Sequence, residues 1–367
     1  MMRVKNHYCS LILFFSGFHC YYQTYFYWAY VSRCKTMITL GIEGTAHTIG
    51  VGIVEDDNDF CHIHANVMKT YKPEKGGIHP REAANHHATN VSQLISTALS
   101  ESEIDAATID LISFSKGPGL GPCLRTAATA ARALALSLNI PIIGVNHCVA
   151  HLEIGRGTLP ECHDPVLLYT SGANTQVIAF AEGKYRVFGE TLDIGVGNCL
   201  DKFGRSVGMN FPSGPTIEQL AKKATTYIPL PYSIKGMDIA FSGLLTVALQ
   251  QYEKGENLEN ICFSMQETMF AALTEVTERA MAHTEKNEVL LGGGVAANMR
   301  LREMVRLMAE DRDAAFFVPD KRVCVDNGAM IAWLGYLMYN SGTRMSIAET
   351  SIDQRFRTDM VEVTWRD

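Results

Sequence analysis

The sequence predicts an α/β protein of two lobes built by duplication. Three observations predict it. Residues 37–55 and 165–178 each read as strand, tight turn and strand, with small or hydroxyl residues at the turn. These hairpins lie about 130 residues apart, and each opens a half in which apolar runs alternate with helical patterns. Several of those runs end in glycines directly ahead of a helix, where backbone can come close to a ligand. Two halves of this kind place a nucleotide between them.

Composition agrees and excludes other classes. The 367 residues suffice for two domains, and 47% hydrophobic with 19% charged content is that of a soluble globular chain. A formal charge of −7 makes no broad electrostatic surface for nucleic acid, so an RNA substrate needs a local basic patch or partner chains. The ten cysteines form no Cys-x-x-Cys pair and read as reduced thiols, which places the chain in the cytoplasm.

Residues 1–36 are expected to lie upstream of the natural start. They are dense in aromatics, with Arg3, Lys5, Arg33 and Lys35 as their charges, so their removal takes the formal charge from −7 to −11. The apolar run 11–18 falls short of the roughly 20 residues a membrane span needs, and no small-x-small cleavage site follows. Met37 opens a clean strand pattern at once. The lobes are expected at 37–144 and 145–343, the second with a helical insertion. A tail, 344–367, alternates polar and apolar residues, and we expect it on the surface, returning to the first lobe.

In the first half, the turn Glu43-Gly44-Thr45-Ala46-His47 is a weak phosphate-cradle signal. A helix follows over 83–99, where His86 and His87 read as surface or packing. A strand at 109–113 leads to Gly117-Pro118-Gly119-Leu120-Gly121, either a ligand approach or a plain strand–helix turn, and to a helix over 124–138. The buried strand 140–145 runs into Asn146-His147-Cys148-Val149-Ala150-His151-Leu152-Glu153. Histidines four apart share one helix face, a turn from each other, and both can reach one metal ion. A lone His-x-x-x-His is more often a pair of partly buried histidines. The glycine-rich surroundings and a distant third ligand candidate strengthen the metal reading.

In the second half, helices are expected from Gly195 onward and from Gly214-Pro215-Thr216, the latter with Glu218 in its first turn. A long helix over 261–283 carries Met and Phe as core. Strand 289–292 ends in Gly292-Gly293-Gly294, followed by a helix whose Arg300, Arg302 and Arg306 make either a solvated face or an RNA contact. Asp326 stands at the expected N-cap of the last long helix, so capping alone is one reason for it.

Together these segments resemble the TsaD/KEOPS-type tRNA threonylcarbamoyladenosine transferases, a family earlier taken for O-sialoglycoprotein endopeptidases. The matching pieces are Gly41-Ile42-Glu43, Gly117-Pro118-Gly119, Asn146-His147 with His151-Leu152-Glu153, Ser171-Gly172-Ala173-Asn174-Thr175, Gly197-Asn198 with Asp201, Gly214-Pro215 with Glu218, Phe241-Ser242-Gly243-Leu244, the glycines and arginines of 292–302, and Asp326-Asn327-Gly328. Gly44-Thr45-Ala46-His47-Thr48 is similar to the archaeal and eukaryotic branch. The resemblance implies the actin-like ATPase (ASKHA) fold with a nucleotide and metal cleft. It implies that His147, His151 and Asp326 bind one divalent metal, Fe(II) favoured and zinc the alternative. It further implies that Tyr169, Thr170, Ser171, Gly172, Ala173, Asp201, Gly214, Glu218 and Asn298 bind ATP or threonylcarbamoyl-AMP. Ala173 and Ser213 stand where the family commonly has glycine. The implied reaction moves threonylcarbamoyl to the N6 amine of adenosine 37 in tRNAs reading ANN codons. The implied partners are tRNA and KEOPS-type subunits, with a small kinase as a separate chain, and no membrane.

Two rivals stand beside it. A zinc protease of the His-Glu-x-x-His kind takes its general base from the Glu, and Cys148 occupies that place here. A non-catalytic ATP-binding scaffold would have no need of all three metal-ligand candidates.

Overall fold

The computed structural model describes residues 36–73 and 77–366, and the expected extension at 1–36 lies, but for Thr36, outside the described residues. The chain runs β1 Ile38–Glu43, β2 Thr48–Asp57, β3 Phe60–Thr70, α1 Pro80–Ser102, β4 Leu111–Gly117, α2 Gly121–Leu138, β5 Ile142–Asn146 and α3 His147–Thr158. The second half runs β6 Val166–Thr170, β7 Thr175–Ala181, β8 Lys184–Glu190, α4 Val196–Ser206, α5 Gly214–Ala221, β9 Ile234–Lys235, β10 Asp238–Ile239, α6 Ser242–Glu253, α7 Leu258–Thr284, β11 Glu288–Gly292, α8 Met299–Asp311, β12 Ala315–Phe317, α9 Lys321–Cys324 and α10 Gly328–Asn340.

Duplication is explicit in the sheets. The first has the order β3-β2-β1-β4-β5 and the second β8-β7-β6-β11-β12. In each, the first three strands form an antiparallel meander and the other two add in parallel. The turns at 44–47 and 171–174 therefore occupy equivalent places. The strands sequence reading missed, β3, β8 and β12, all lie at sheet edges, where partial exposure blurs the apolar alternation. β4 runs to Gly117, beyond the expected end at Ser113.

The helix after each fifth strand crosses to the other sheet. α3 places Gly155 against Leu290 of β11, where a Cβ would come within 2.4 Å of the leucine side chain. α10 lies directly on β1 and β2: a Cβ on Gly41 would stand 2.3 Å from Ala332 N, and one on Gly52 2.2 Å from Ala329 N. Gly41, Gly52 and Gly328 are thus required by a backbone-to-backbone approach that no larger residue permits. One apolar cluster joins Val149, Leu152, Tyr169, Leu290, Met330, Ile331 and Trp333, all buried, so the two sheets share a core at the crossover.

The glycines after β4 serve the same end. A Cβ on Gly117 would fall on Asp353 O, and one on Gly119 would stand 2.6 Å from Thr45 O. The chain's own backbone fills the approach that the sequence left open to a ligand. The tail is anchored at the same place. Asp353 N donates to Lys116 O at 2.8 Å, Gly119 N to Gln354 O at 3.3 Å, and Thr350, Thr358 and Val361 are buried. Most of its residues are exposed or half-buried, so the tail lies on the surface, anchored by these three side chains, and its irregular backbone finds partners in β4 and the loop after it.

Candidate active site

α3 begins at once after β5, because Asn146 caps it. Its Oδ1 accepts from Cys148 N at 3.0 Å and Val149 N at 3.1 Å. That cap fixes His147 as the first helical residue and puts His151 one turn on, both buried. Across the molecule, Asn327 caps α10, its Oδ1 accepting from Met330 N at 3.0 Å. The expected cap role of Asp326 is therefore wrong by one residue. Asn327 does the capping, which leaves the Asp326 carboxylate free to face the histidines.

It does face them. Asp326 Oδ1 lies 3.4 Å from His147 Nε2 and 3.3 Å from His151 Nε2. Three ligand atoms, one from each residue, fit within 4.8 Å of one another. Two atoms each about 2.1 Å from a common ion at a tetrahedral angle stand ~3.4 Å apart, so these separations suit a metal. The Tyr169 hydroxyl lies 3.0 Å from His147 Nε2, giving the cluster a fourth polar group. His147 Nδ1 lies 3.1 Å from Glu43 Oε2, while Glu43 Oε1 accepts from Thr45 N at 2.7 Å and from Thr45 Oγ1 at 2.5 Å. A carboxylate on Nδ1 holds the ring so that Nε2 presents its lone pair to an ion. The donor set therefore fits a divalent metal, and Glu43, given no metal role in the sequence reading, is its buried outer partner.

The electrostatics are those of a closely coupled group. Burial opposes charge on His147, but Tyr169, Glu43 and Asp326 outweigh it and hold its pKa well above the ordinary value. Burial likewise opposes the Asp326 carboxylate, and His147 with His151 hold it well below the usual range. His151 is lowered, by burial first, with Asp326 opposing and His147 adding to the shift. Cys148, where the peptidase motif needs a Glu, is pushed up to about 11 by burial and keeps its proton. Glu153 is buried and turned away from the metal cluster, accepting from Arg156 Nη1 at 2.6 Å, Trp365 Nε1 at 2.9 Å and the Tyr185 hydroxyl.

The other candidates form a wall around the 171–174 turn. Gly197 N donates to Ser171 O at 3.2 Å and Asn198 N to Gly172 O at 2.9 Å, so the turn's carbonyls receive the start of α4. Ala173 is exposed at the tip, and Thr170 Oγ1, buried, donates to Gly292 O at 3.1 Å. Asp201 of α4 accepts from Ser213 N at 2.7 Å, and burial raises its pKa against the pull of Ser213, His47 and Arg205. His47, at the tip of the first hairpin, packs edge-on to Phe211 at 6.0 Å between ring centroids, so the first hairpin meets the segment between α4 and α5 there.

Glu218 does not stand in the first turn of α5, where no acidic residue lies. It accepts from Met299 N at 3.1 Å, the first amide of α8. Asn298 caps that same helix, its Oδ1 accepting from Arg300 N at 2.9 Å, and its amide donates to Gln266 Oε1 at 2.6 Å. Gly214 and Gly294 are the informative glycines here. A Cβ on either meets nothing within 4 Å, and neither has a positive φ, so the fold itself does not require them. The arginines of α8 are committed within the protein: Arg300 pairs with Glu267 and Glu303, Arg306 with Glu310, and Arg302 Nε donates to Ala296 O. That favours the solvated face over an RNA contact.

Comparison with known proteins follows the same lines. A family model described as TsaD, tRNA N6-adenosine threonylcarbamoyltransferase, matches residues 61–333. The protein of that name from Thermococcus sibiricus is 57% identical over 330 residues, covering 90% of this chain and all of the relative. A probable bifunctional tRNA threonylcarbamoyladenosine biosynthesis protein from Methanocaldococcus jannaschii is 59% identical over 329 residues, which are 90% of this chain and 60% of the relative. Among solved structures, HypF of T. kodakarensis superposes with a TM-score of 0.61 at 14% identity, over 83% of this chain and 48% of that one. The activator of the 2-hydroxyisocaproyl-CoA dehydratase from Clostridium difficile gives 0.51 at 10% identity, over 84% of this chain and all of that one. These distant likenesses speak for the fold, the actin-like ATPase fold of two duplicated lobes. The chain belongs to the tRNA N6-adenosine threonylcarbamoyltransferase family.

Proposed function

We propose that this chain transfers the threonylcarbamoyl group from threonylcarbamoyl-AMP to the N6 amine of adenosine 37 in tRNAs reading ANN codons. The observation that carries the reading is the convergence of His147, His151 and Asp326, with Tyr169 beside them, in a chain of this family. The favoured ion is Fe(II), with zinc the alternative; when bound, it supplies a positive charge that orients the donor and stabilises developing negative charge. In the reaction, N6 attacks the carbamoyl carbon, a C–N bond forms, the C–O bond to phosphate breaks and AMP leaves, while N6 gives up a proton.

The protein's own groups do the rest. His147, His151 and Asp326 hold the ion, and Glu43 keeps His147 aimed. Asp201 holds Ser213 next to Gly214, Glu218 holds Met299 at the start of α8, and the open faces of Gly214 and Gly294 admit a nucleotide close to backbone. To the turn Ser171, Gly172 and Ala173, held by the start of α4, we assign the donor's phosphate or carboxylate. Neither Cys148 nor Tyr169 serves as the base, since burial pushes both upward in pKa. We assign the chain to a KEOPS-type assembly in the cytoplasm, with the kinase and small subunits as separate chains. Among the described residues, no helix is long and apolar enough to cross a membrane.

The test is transfer of labelled threonylcarbamoyl from its adenylate to unmodified tRNA, with partner subunits present, by wild type and by His147→Ala. Transfer by wild type and near-total loss in the variant is the expected result. Equal activity in both removes the metal from the mechanism, and no transfer by either, with ATP still bound, makes the chain a scaffold.

A further inference from the structure

Beside the metal cluster, on the far side of Cys148, lies a cavity of about 200 Å³. Its wall joins three parts of the molecule: Pro118 of the β4–α2 loop, Asn174 and Gln176 of the second hairpin, and residues 355–358 of the tail. The tail is built into this position. Asp353 N is held by Lys116 O, Gln354 O by Gly119 N, and Phe356 O by the side-chain amide of Asn146 at 2.9 Å. Asn146 is also the cap of the histidine helix. One residue thus ties the tail's placement to that of the metal ligands.

The charges at this cavity are unlike those of the whole chain. The chain is net negative, and the arginines of α8 are paired internally. Arg355 is exposed at the cavity and has no ion pair among the described residues, while its backbone N is fixed by Asp353 Oδ1 at 2.9 Å. Arg357 also lines it and pairs with Asp359. Lys116 Nζ lies 5.9 Å from the ring centroid of Phe356. The opposing acid is Glu190, whose Oε2 accepts from Gln176 Nε2 at 3.0 Å. An aromatic ring, amide groups and an unpaired guanidinium around a small cavity are what an unstacked base and its phosphate require. At about 200 Å³ the cavity is below the ~300–1,000 Å³ typical of drug-sized ligands, and one base suits it better than a whole nucleotide cofactor.

We infer that residues 353–358 form an RNA-holding strap, in which the cavity beside Cys148 takes one unstacked base of the substrate loop and Arg355 holds the adjoining phosphate. The inference rests on the proposed tRNA substrate and adds where the loop is gripped. The strap explains how an acidic chain presents a cation to RNA, at the cavity that Cys148 lines. Arg355 is a positioning residue: it grips the RNA and takes no part in bond making.

The experiment measures binding of a fluorescently labelled, unmodified anticodon stem–loop to the full chain across a salt series, for wild type, Arg355→Glu, Arg355→Lys and Lys254→Glu. Lys254 is exposed at the end of α6, and its substitution makes the same charge change elsewhere. The inference expects Arg355→Glu to weaken binding on the order of 10-fold or more and to lower the salt slope by about one. Arg355→Lys should retain most of the binding, and Lys254→Glu should change little. In transfer assays the KM for RNA should rise while kcat and adenylate binding hold. Equal loss in Arg355→Glu and Lys254→Glu, no loss in Arg355→Glu, or no binding by wild type overturns the strap. Wild-type transfer with an unchanged Arg355→Glu sinks the strap alone. Stem–loop binding that depends on Arg355, without transfer by wild type, upholds the strap and sinks the proposed reaction.

Discussion

The helices α3 and α10 occupy equivalent places in the two halves and have been put to different uses. Each follows the fifth strand of its sheet, each is capped by an asparagine, and each crosses to the opposite sheet. α3 starts directly on β5 and carries buried His147, His151 and Glu153. α10 is delayed by the short α9, and its first nine residues are buried and lack charge. The delay leaves Asp326 just outside the helix, where a carboxylate can turn back toward α3. Duplication supplied two crossing helices, and one site needed imidazoles from the first and a carboxylate ahead of the second. Chemistry sits at the mouth of the shared crossover, while packing occupies its length.

The comparison breaks most sharply if the mouth is changed. His147→Ala or Asp326→Asn should abolish tight metal binding and reduce transfer by more than the ~10–100-fold that outer partners of metal ligands command. Metal content by elemental analysis and transfer rate should fall together while thermal unfolding changes little. A variant that keeps its metal shows that the cluster is only an ion pair between helices. The length of the crossover should respond in the opposite sense. Gly52→Val places side-chain atoms on the α10 backbone, where a Cβ alone already comes to 2.2 Å. Overpacking of this kind costs about 1–3 kcal/mol or more, read as a lower denaturation midpoint with residual activity per folded molecule retained. If Gly52→Val unfolds no more easily than wild type, α10 does not rest on the first sheet as described.

Glu43 sharpens the comparison further, because it links the first hairpin to α3 and has no counterpart on α10. Glu43→Gln keeps the shape but removes the charge facing His147 Nδ1. Metal affinity should fall by about 10–100-fold, measured by competition with a chelator, with little change in the folded structure. An unchanged affinity would mean that the helix cap alone aims His147.

How much of this was legible in the sequence follows from the same division. The hairpins, the histidine pair and the long helix α7 were readable because each is a local pattern of period two or period 3.6. The metal cluster was readable through resemblance, but the job of Asp326 was not, since an Asp and an Asn side by side both suit a cap and only the backbone decides between them. Glu43 was hidden for another reason: its partner is about a hundred residues away, and a buried carboxylate in a strand carries no local signature. The glycines divide likewise. Gly117 was open to a ligand reading and serves packing, whereas Gly214 and Gly294 are among those the fold leaves open. Edge strands, and the anchors that fasten the tail, escaped because their partners are loops and other strands, not their own sequence neighbours.

A last and smaller effect separates the hairpin that serves the metal from the helix behind it. His87 of α1 is fully buried beneath the first turn, and its Nε2 has no hydrogen-bond partner among the described residues. Burial, then the neighbouring His86, push its pKa down to about 4, with the Ala46 backbone opposing and His47 adding slightly. The folded state therefore favours the neutral ring, and the unfolded chain titrates near 6.5. Its contribution is fully present above 6.5 and is lost as pH falls from there toward 4, because the unfolded state takes up the proton first. The loss is at most about 3 kcal/mol over that window, at 1.36 kcal/mol for each pKa unit. His87→Leu should flatten the decline in unfolding free energy between pH 6.5 and 4 without altering metal content. A decline as steep in the variant as in wild type would place the acid sensitivity elsewhere and leave His87 as simple packing under the turn.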